Sequence, residues 1–166
     1  MPFANDLLEQ AHHLANREPK RPKQASLRRA VSTAYYALFH LLSAETAKNW
    51  KRPAERNTVA RMLDHGPMGK VCASKRDELN NHFLKRPAAG RALDILKHLH
   101  LITNTFVLML QHRHSADYDG ATKWTRTDVL EKIESVEAAF ASWRDIREEH
   151  DAQNFLVTLL LKERKG

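Results

Sequence analysis

Residues 27–46 read LRRAVSTAYYALFHLLSAET, and the way this stretch alternates decides the fold. It contains neither glycine nor proline over about five turns of helix. Leu27, Ala30, Val31, Ala34, Leu38, Leu41 and Leu42 recur at the three-and-four spacing of a buried helical face. Tyr35 and Phe39 widen that face. At about 100° per residue the positions left over, Arg29, Thr33, Tyr36, His40 and Ser43, fall on one side. The stretch therefore predicts a helix buried on most sides, with one polar seam that carries an arginine, a tyrosine and a histidine.

Upstream, Asn5 or Asp6 can cap a first helix running to about Arg17, with Leu7, Leu8, Ala11, Leu14 and Ala15 facing inward. The prolines of EPKRPK make a basic turn, and the anchor helix starts near Lys23. It frays after Lys48, and Pro53 bars any continuation. A short helix follows from Asn57 or Thr58 to His65, stopped by Gly66 as a left-handed cap and by Pro67. Another short helix is expected near Asp77–Leu84.

Arg91 to about His112 reads as a second core helix, striped by Ile95, Leu96, Leu99, Ile102, Phe106, Met109 and Leu110. Val107 and Leu108 carry the apolar surface round the back, so this helix lies centrally or its far face meets another subunit. Arg113 falls on the inner stripe, eleven residues after Ile102 and seven after Phe106. An arginine there needs a partner: Asp117, Asp119 or a ligand phosphate. HSADYDGATKW then reads as a break from helix, and the next helix starts at Thr127 or Asp128 with Glu131 completing a cap. A last helix is expected over Asn154–Glu163. The reading is all-α: a single antiparallel bundle of about five helices over residues 1–166, with its core between about 5 and 149.

A length of 166 residues suits one domain. The formal net charge is +7, and Lys48–Arg91 holds eleven Lys/Arg against four Asp/Glu, which carries the whole excess. Such a segment is either a basic rim for nucleic-acid phosphates, with Lys51, Arg52 and Arg56 as contacts, or a solvated connector. A single cysteine, Cys72, excludes an internal disulfide and fits a reducing cytoplasm. The first ten residues lack the pattern of a signal peptide, and the longest apolar run, Phe155–Leu161, is too short to cross a bilayer, so no membrane partner is expected. His98 and His100, like His112 and His114, are two apart on helices, which turns the paired rings away from one another. No glycine-rich phosphate loop or nucleophile elbow is present, and neither cofactor nor metal is expected.

LRRAVSTAYYALFHLLSAE, followed roughly seventy residues later by RHSADYD, resembles the HEPN family of small prokaryotic proteins. Arg28 or Arg29, Ala30, Val31, Ala34, Tyr35, Tyr36, Ala37, Phe39 and His40 meet the first motif. Arg113, Ala116, Asp117 and Tyr118 meet the second. The resemblance spans roughly Leu27–Trp143. It implies an antiparallel bundle that dimerises through its central helices, with the motif arginine lining a cleft between subunits. It also implies metal-independent RNase activity, often in a toxin–antitoxin or phage-defence setting. The family's nuclease signature places a histidine after the arginine and a spacer of four to six residues. Here Tyr118, Asp119 and Gly120 stand in that window.

RNA cleavage without metal needs a base, an acid and positive charge at phosphorus. On that reading Arg113 supplies the charge, Arg29 joins it in phosphate binding, and His40, Tyr36 or Tyr118 assists. The alternative is a non-catalytic HEPN domain that binds RNA, a nucleotide or a nucleotidyltransferase-type antitoxin, for which Tyr118 is the residue to be modified. A third option is a scaffold in which His40 and Tyr36 only fix a dimer.

Overall fold

The structure is a computed structural model that describes residues 2–85 and 88–161. Among these residues the chain is all helical: α1 Pro2–Ala15, α2 Gln24–Lys48, α3 Arg56–Arg61, α4 His65–Lys85, α5 Gly90–Tyr118, α6 Arg126–Ile146 and α7 His150–Leu159. A single 3-10 turn, Pro53–Glu55, leads into α3.

Side-chain contacts fix the directions of the helices. The ring of Phe3 meets that of His40, while the turn after α1 meets the start of α2 through Glu18 and Ser26, so α1 and α2 run antiparallel. Arg28 reaches Ala116 and Tyr36 reaches Arg113, which makes α2 and α5 antiparallel. Arg91 pairs with Asp145 and the His98 ring bonds Ser142, so α5 and α6 are antiparallel as well. His12 bonds Glu137, and Arg126 bonds the carbonyl of Ala15, closing the square between α6 and α1. α4 lies along α5 in the opposite sense, with Phe83 near His100 and Gly69 against Leu110. The approach at Gly69 is tight: a Cβ there would stand 2.6 Å from Leu110 Cδ2.

The centre is filled by Tyr35, Phe106, Trp143 and Phe155 with aliphatic residues from every long helix. The anchor stretch behaves as its periodicity requires: Leu27, Ala30, Val31, Ala34, Leu38 and Leu42 are fully buried. α5 is long and apolar enough to pass for a membrane span. In the bundle Ile95, Leu99, Ile102, Phe106, Val107 and Met109 are buried against the neighbouring helices, whereas Leu101 and Leu108 are exposed.

Several boundaries differ from the sequence reading, each for a local reason. α1 begins at Pro2 rather than after Asn5 or Asp6 and ends at Ala15. Proline is well suited to a helix start, and buried Ala4 ties the first turn to the core. Gly66 and Pro67 do not stop a helix; they sit in the first turn of α4. Proline is tolerated there because first-turn N–H groups have no helical partner. The Asp64 carboxylate accepts the N–H of His65 at 2.8 Å, satisfying one of the first-turn donors that the helix leaves open. The short helix expected near Asp77 is thus the end of a 21-residue one. α5 does not break after His112 but runs on through RHSADY to Tyr118. α6 starts at Arg126 on a Thr125–Asp128 capping box, three residues before the expected Asp128–Glu131 one. α7 begins at His150, four residues early; the expected end at Glu163 lies outside the described residues. Among the described residues seven α-helices therefore stand where about five were expected.

Candidate functional site

The extension of α5 is what builds the site. On a helix, residues four apart stand one above the other. Continuing α5 past His112 therefore sets Arg113 over Asp117, and Nε lies 3.1 Å from Oδ2. The Ser32 hydroxyl on α2 donates to the other Asp117 oxygen, Oδ1. One helical turn farther along α2, the Tyr36 hydroxyl accepts from Arg113 Nη2 at 3.0 Å. The guanidinium carbon stands 5.5 Å from the Tyr36 ring centroid and 5.9 Å from that of Tyr35. The Arg113 side chain is 19% exposed. Although Asp117 is close, no acceptor lies along the buried Nε–H. Burial works against the charge of Arg113, but Tyr36 and Asp117 more than offset it and hold its pKa above the usual value.

The end of α5 is secured by Arg28. Its guanidinium donates to the carbonyls of Ala116 at 2.9 Å, Asp119 at 2.8 Å and Thr122 at 2.6 Å. The Ala116 contact satisfies a last-turn carbonyl that the helix itself cannot, and the other two tie the following loop to α2. Of the two arginines that fit the first motif, Arg28 is thus the one that organises structure, while Arg29 is exposed.

His65, which the sequence reading treated as the end of a short helix, enters the site from the first turn of α4. Its Nδ1 lies 2.7 Å from the Tyr35 hydroxyl. Its ring is 4.1 Å from that of Phe39 and 5.6 Å from those of Tyr35 and Tyr36. Burial, and then the Arg113 charge, hold its pKa below the usual histidine value. Burial also pushes the Tyr35 phenol well up. His65 and Arg113 therefore flank one pair of tyrosines, and His65 is a neutral imidazole at neutral pH.

The residues singled out from sequence are distributed unevenly. Tyr36 and Arg113 are bonded directly. His40 makes no hydrogen bond to Arg113; its ring packs against Phe3, Phe39 and Tyr36 at 4.9, 5.3 and 6.5 Å, and burial lowers its pKa. Tyr118 is 69% exposed at the end of α5, its ring 5.0 Å from that of His114. Lys51, Arg52 and Arg56 lie beyond the end of α2, roughly 18 Å along its axis from Tyr36. Arg52 pairs with Glu55 and Arg56 bonds the Trp50 carbonyl, so these two hold a local turn together.

A groove of about 860 Å³ opens between α4 and α7. Val71, Phe155 and Leu161 give it an apolar floor, and Lys75, already paired with Glu78, stands at its edge. Its rim carries charges of both signs, among them Asp64, Lys75, Glu78 and Asp151, and it is separate from the Arg113 cluster. Among the described residues no three His, Cys, Asp or Glu side chains stand together as a metal site.

No family model, curated protein or solved structure matches this chain.

Proposed function

We propose that this chain is a HEPN-like protein that acts as a homodimer and binds RNA through its phosphates at the Arg113 cluster. The observation that carries the reading is an arginine on the inner stripe of a core helix, held by Tyr36 and Asp117 at the edge of the bundle beside a neutral histidine. A charge in that position costs desolvation, and a phosphate is a fitting counter-ion for an arginine so placed. The LRRAVSTAYYALFH and RHSADYD motifs support the family, and their arginine is the same residue. The dimer is supported by Leu101 and Leu108, exposed seven residues apart on α5 away from the core. The +7 net charge favours a polyanion.

A second reading, metal-independent RNA cleavage, is favoured by one observation: His40 and His65 both have lowered pKa values, so both are unprotonated at neutral pH. The exposed ring of Tyr118 is also open to modification by a nucleotidyltransferase-type partner.

The test is a short fluorescein-labelled single-stranded RNA, followed by anisotropy and by gel in EDTA, with native protein beside Arg113→Ala. Binding that weakens about tenfold in the variant supports the proposal. Equal binding by both proteins would sink it. Cleavage by the native protein alone would shift the conclusion to the second reading.

A further inference from the structure

The hydrogen-bond partners of the Tyr35–His65 pair bear on what His65 can do. Tyr35 is fully buried, and among the described residues its hydroxyl has one partner, His65 Nδ1. A buried phenol has one proton to place and needs an acceptor for it. If Nδ1 carried a hydrogen and donated to the phenol oxygen, the phenol proton would be left in the core without an acceptor. If instead the phenol donates, Nδ1 is the acceptor, and the proton of the neutral ring sits on Nε2. Among the described residues Nε2 has no hydrogen-bond partner, and it is not among the buried unsatisfied atoms, so its N–H is the free donor of the pair.

The other donors follow the same logic. The Tyr36 oxygen accepts from Arg113, which leaves its own proton free to be donated onward. Arg113 has donors only. His65 also stands in the first turn of the 21-residue helix α4, whose positive end favours an anion over an imidazolium. Arg113 and His65, packed against the adjacent rings of Tyr35 and Tyr36, thus join the Tyr36 hydroxyl in offering donors and no free lone pair on a nitrogen.

Resting on the RNA-binding proposal above, we infer that His65 is a phosphate-binding donor of this site, with its tautomer set by Tyr35, and that it is not a general base. The ligand is the phosphodiester backbone of single-stranded RNA, contacted by Arg113, Tyr36 and His65 together. The His65 lone pair that would take the proton of a 2′-hydroxyl is already occupied by the Tyr35 hydroxyl. The chain then holds RNA at this cluster without using His65 to cut it.

Two measurements test this. The first is 15N-detected NMR of histidine-labelled native protein, which reads the His65 tautomer directly. An Nε2–H ring supports the inference, and an Nδ1–H ring overturns it. The second is anisotropy with the labelled RNA, using His65→Ala and His65→Gln. Glutamine places an amide N–H near the position of Nε2. The expected result is a loss of about tenfold for alanine and retention within about threefold for glutamine. Native affinity in His65→Ala, with helical content unchanged, overturns the inference. If the native protein binds no RNA, the RNA-binding proposal fails and takes the ligand with it. The tautomer signal then still decides whether His65 is a donor or a base.

Discussion

Replacing Arg28 by alanine should destabilise this protein far more than the same change at Arg29. The two are neighbours in sequence and alike in type. Arg28 donates to three carbonyls at the end of α5, those of Ala116, Asp119 and Thr122, at 2.9, 2.8 and 2.6 Å. Hydrogen bonds to a charged group contribute about 1.5–3 kcal/mol each, but they share one guanidinium and do not add fully. The bond to Asp119 is exposed, so water replaces it readily, while the other two are partly buried. A total loss of about 3 kcal/mol follows. For a domain of this size that is roughly a quarter of the stability, or a drop in Tm of about 6–12 °C. Arg29 is exposed, and its loss should stay within about 0.5 kcal/mol. Urea unfolding followed by far-ultraviolet circular dichroism gives both values, provided the slope with denaturant is unchanged. The reasoning is refuted if the two variants unfold at the same urea concentration. It is also refuted if Arg28→Ala lies within about 0.5 kcal/mol (roughly a twofold change in the equilibrium) of the native protein.

Three further outcomes follow from the structure. His40, His65 and His112 all have pKa values lowered by burial, so the folded state binds fewer protons than the unfolded one as pH falls through about 6.5. Stability present at neutral pH is therefore lost towards pH 5, above the range in which ordinary carboxylates titrate; an unchanged urea midpoint between pH 7 and pH 5 would contradict this. Leu101→Lys combined with Leu108→Lys should convert the proposed dimer to a monomer by light scattering while leaving helical content intact, and a native monomer would refute the dimer itself. Gly90 opens α5 at φ 61°, where an L side chain is strained, so Gly90→Ala should cost about 1 kcal/mol in urea unfolding rather than stabilise the helix.

The unequal legibility of the chain has a physical pattern. Leu27–Thr46 was readable because burial on most sides writes its own periodicity into the residues. Arg113 was readable for the same reason, as a charge where the stripe called for an apolar side chain. The end of α5 was not. Ser115, Asp117 and Asp119 have the local chemistry of a turn. Here the Arg113–Asp117 pair, Ser32 and the Arg28 clamp outweigh that preference. His65 was misplaced because a Gly-Pro pair reads as the stop of one helix as readily as the first turn of the next, and nothing local in the sequence decides between them.

By itself the sequence determined the all-helical class, the central place of α2 and α5, and the arginine and tyrosine at the heart of the site, since each is a matter of spacing along one helix. Only the tertiary structure decided that Tyr35 is answered by His65, that His40 turns to Phe3 instead of Arg113, and that Lys51, Arg52 and Arg56 stay apart from the cluster. Those pairings join residues 30 or more positions apart, or depend on which way the chain folds back after α2. Periodicity fixes which face of a helix is buried; it carries no information on which distant side chain will be packed against it.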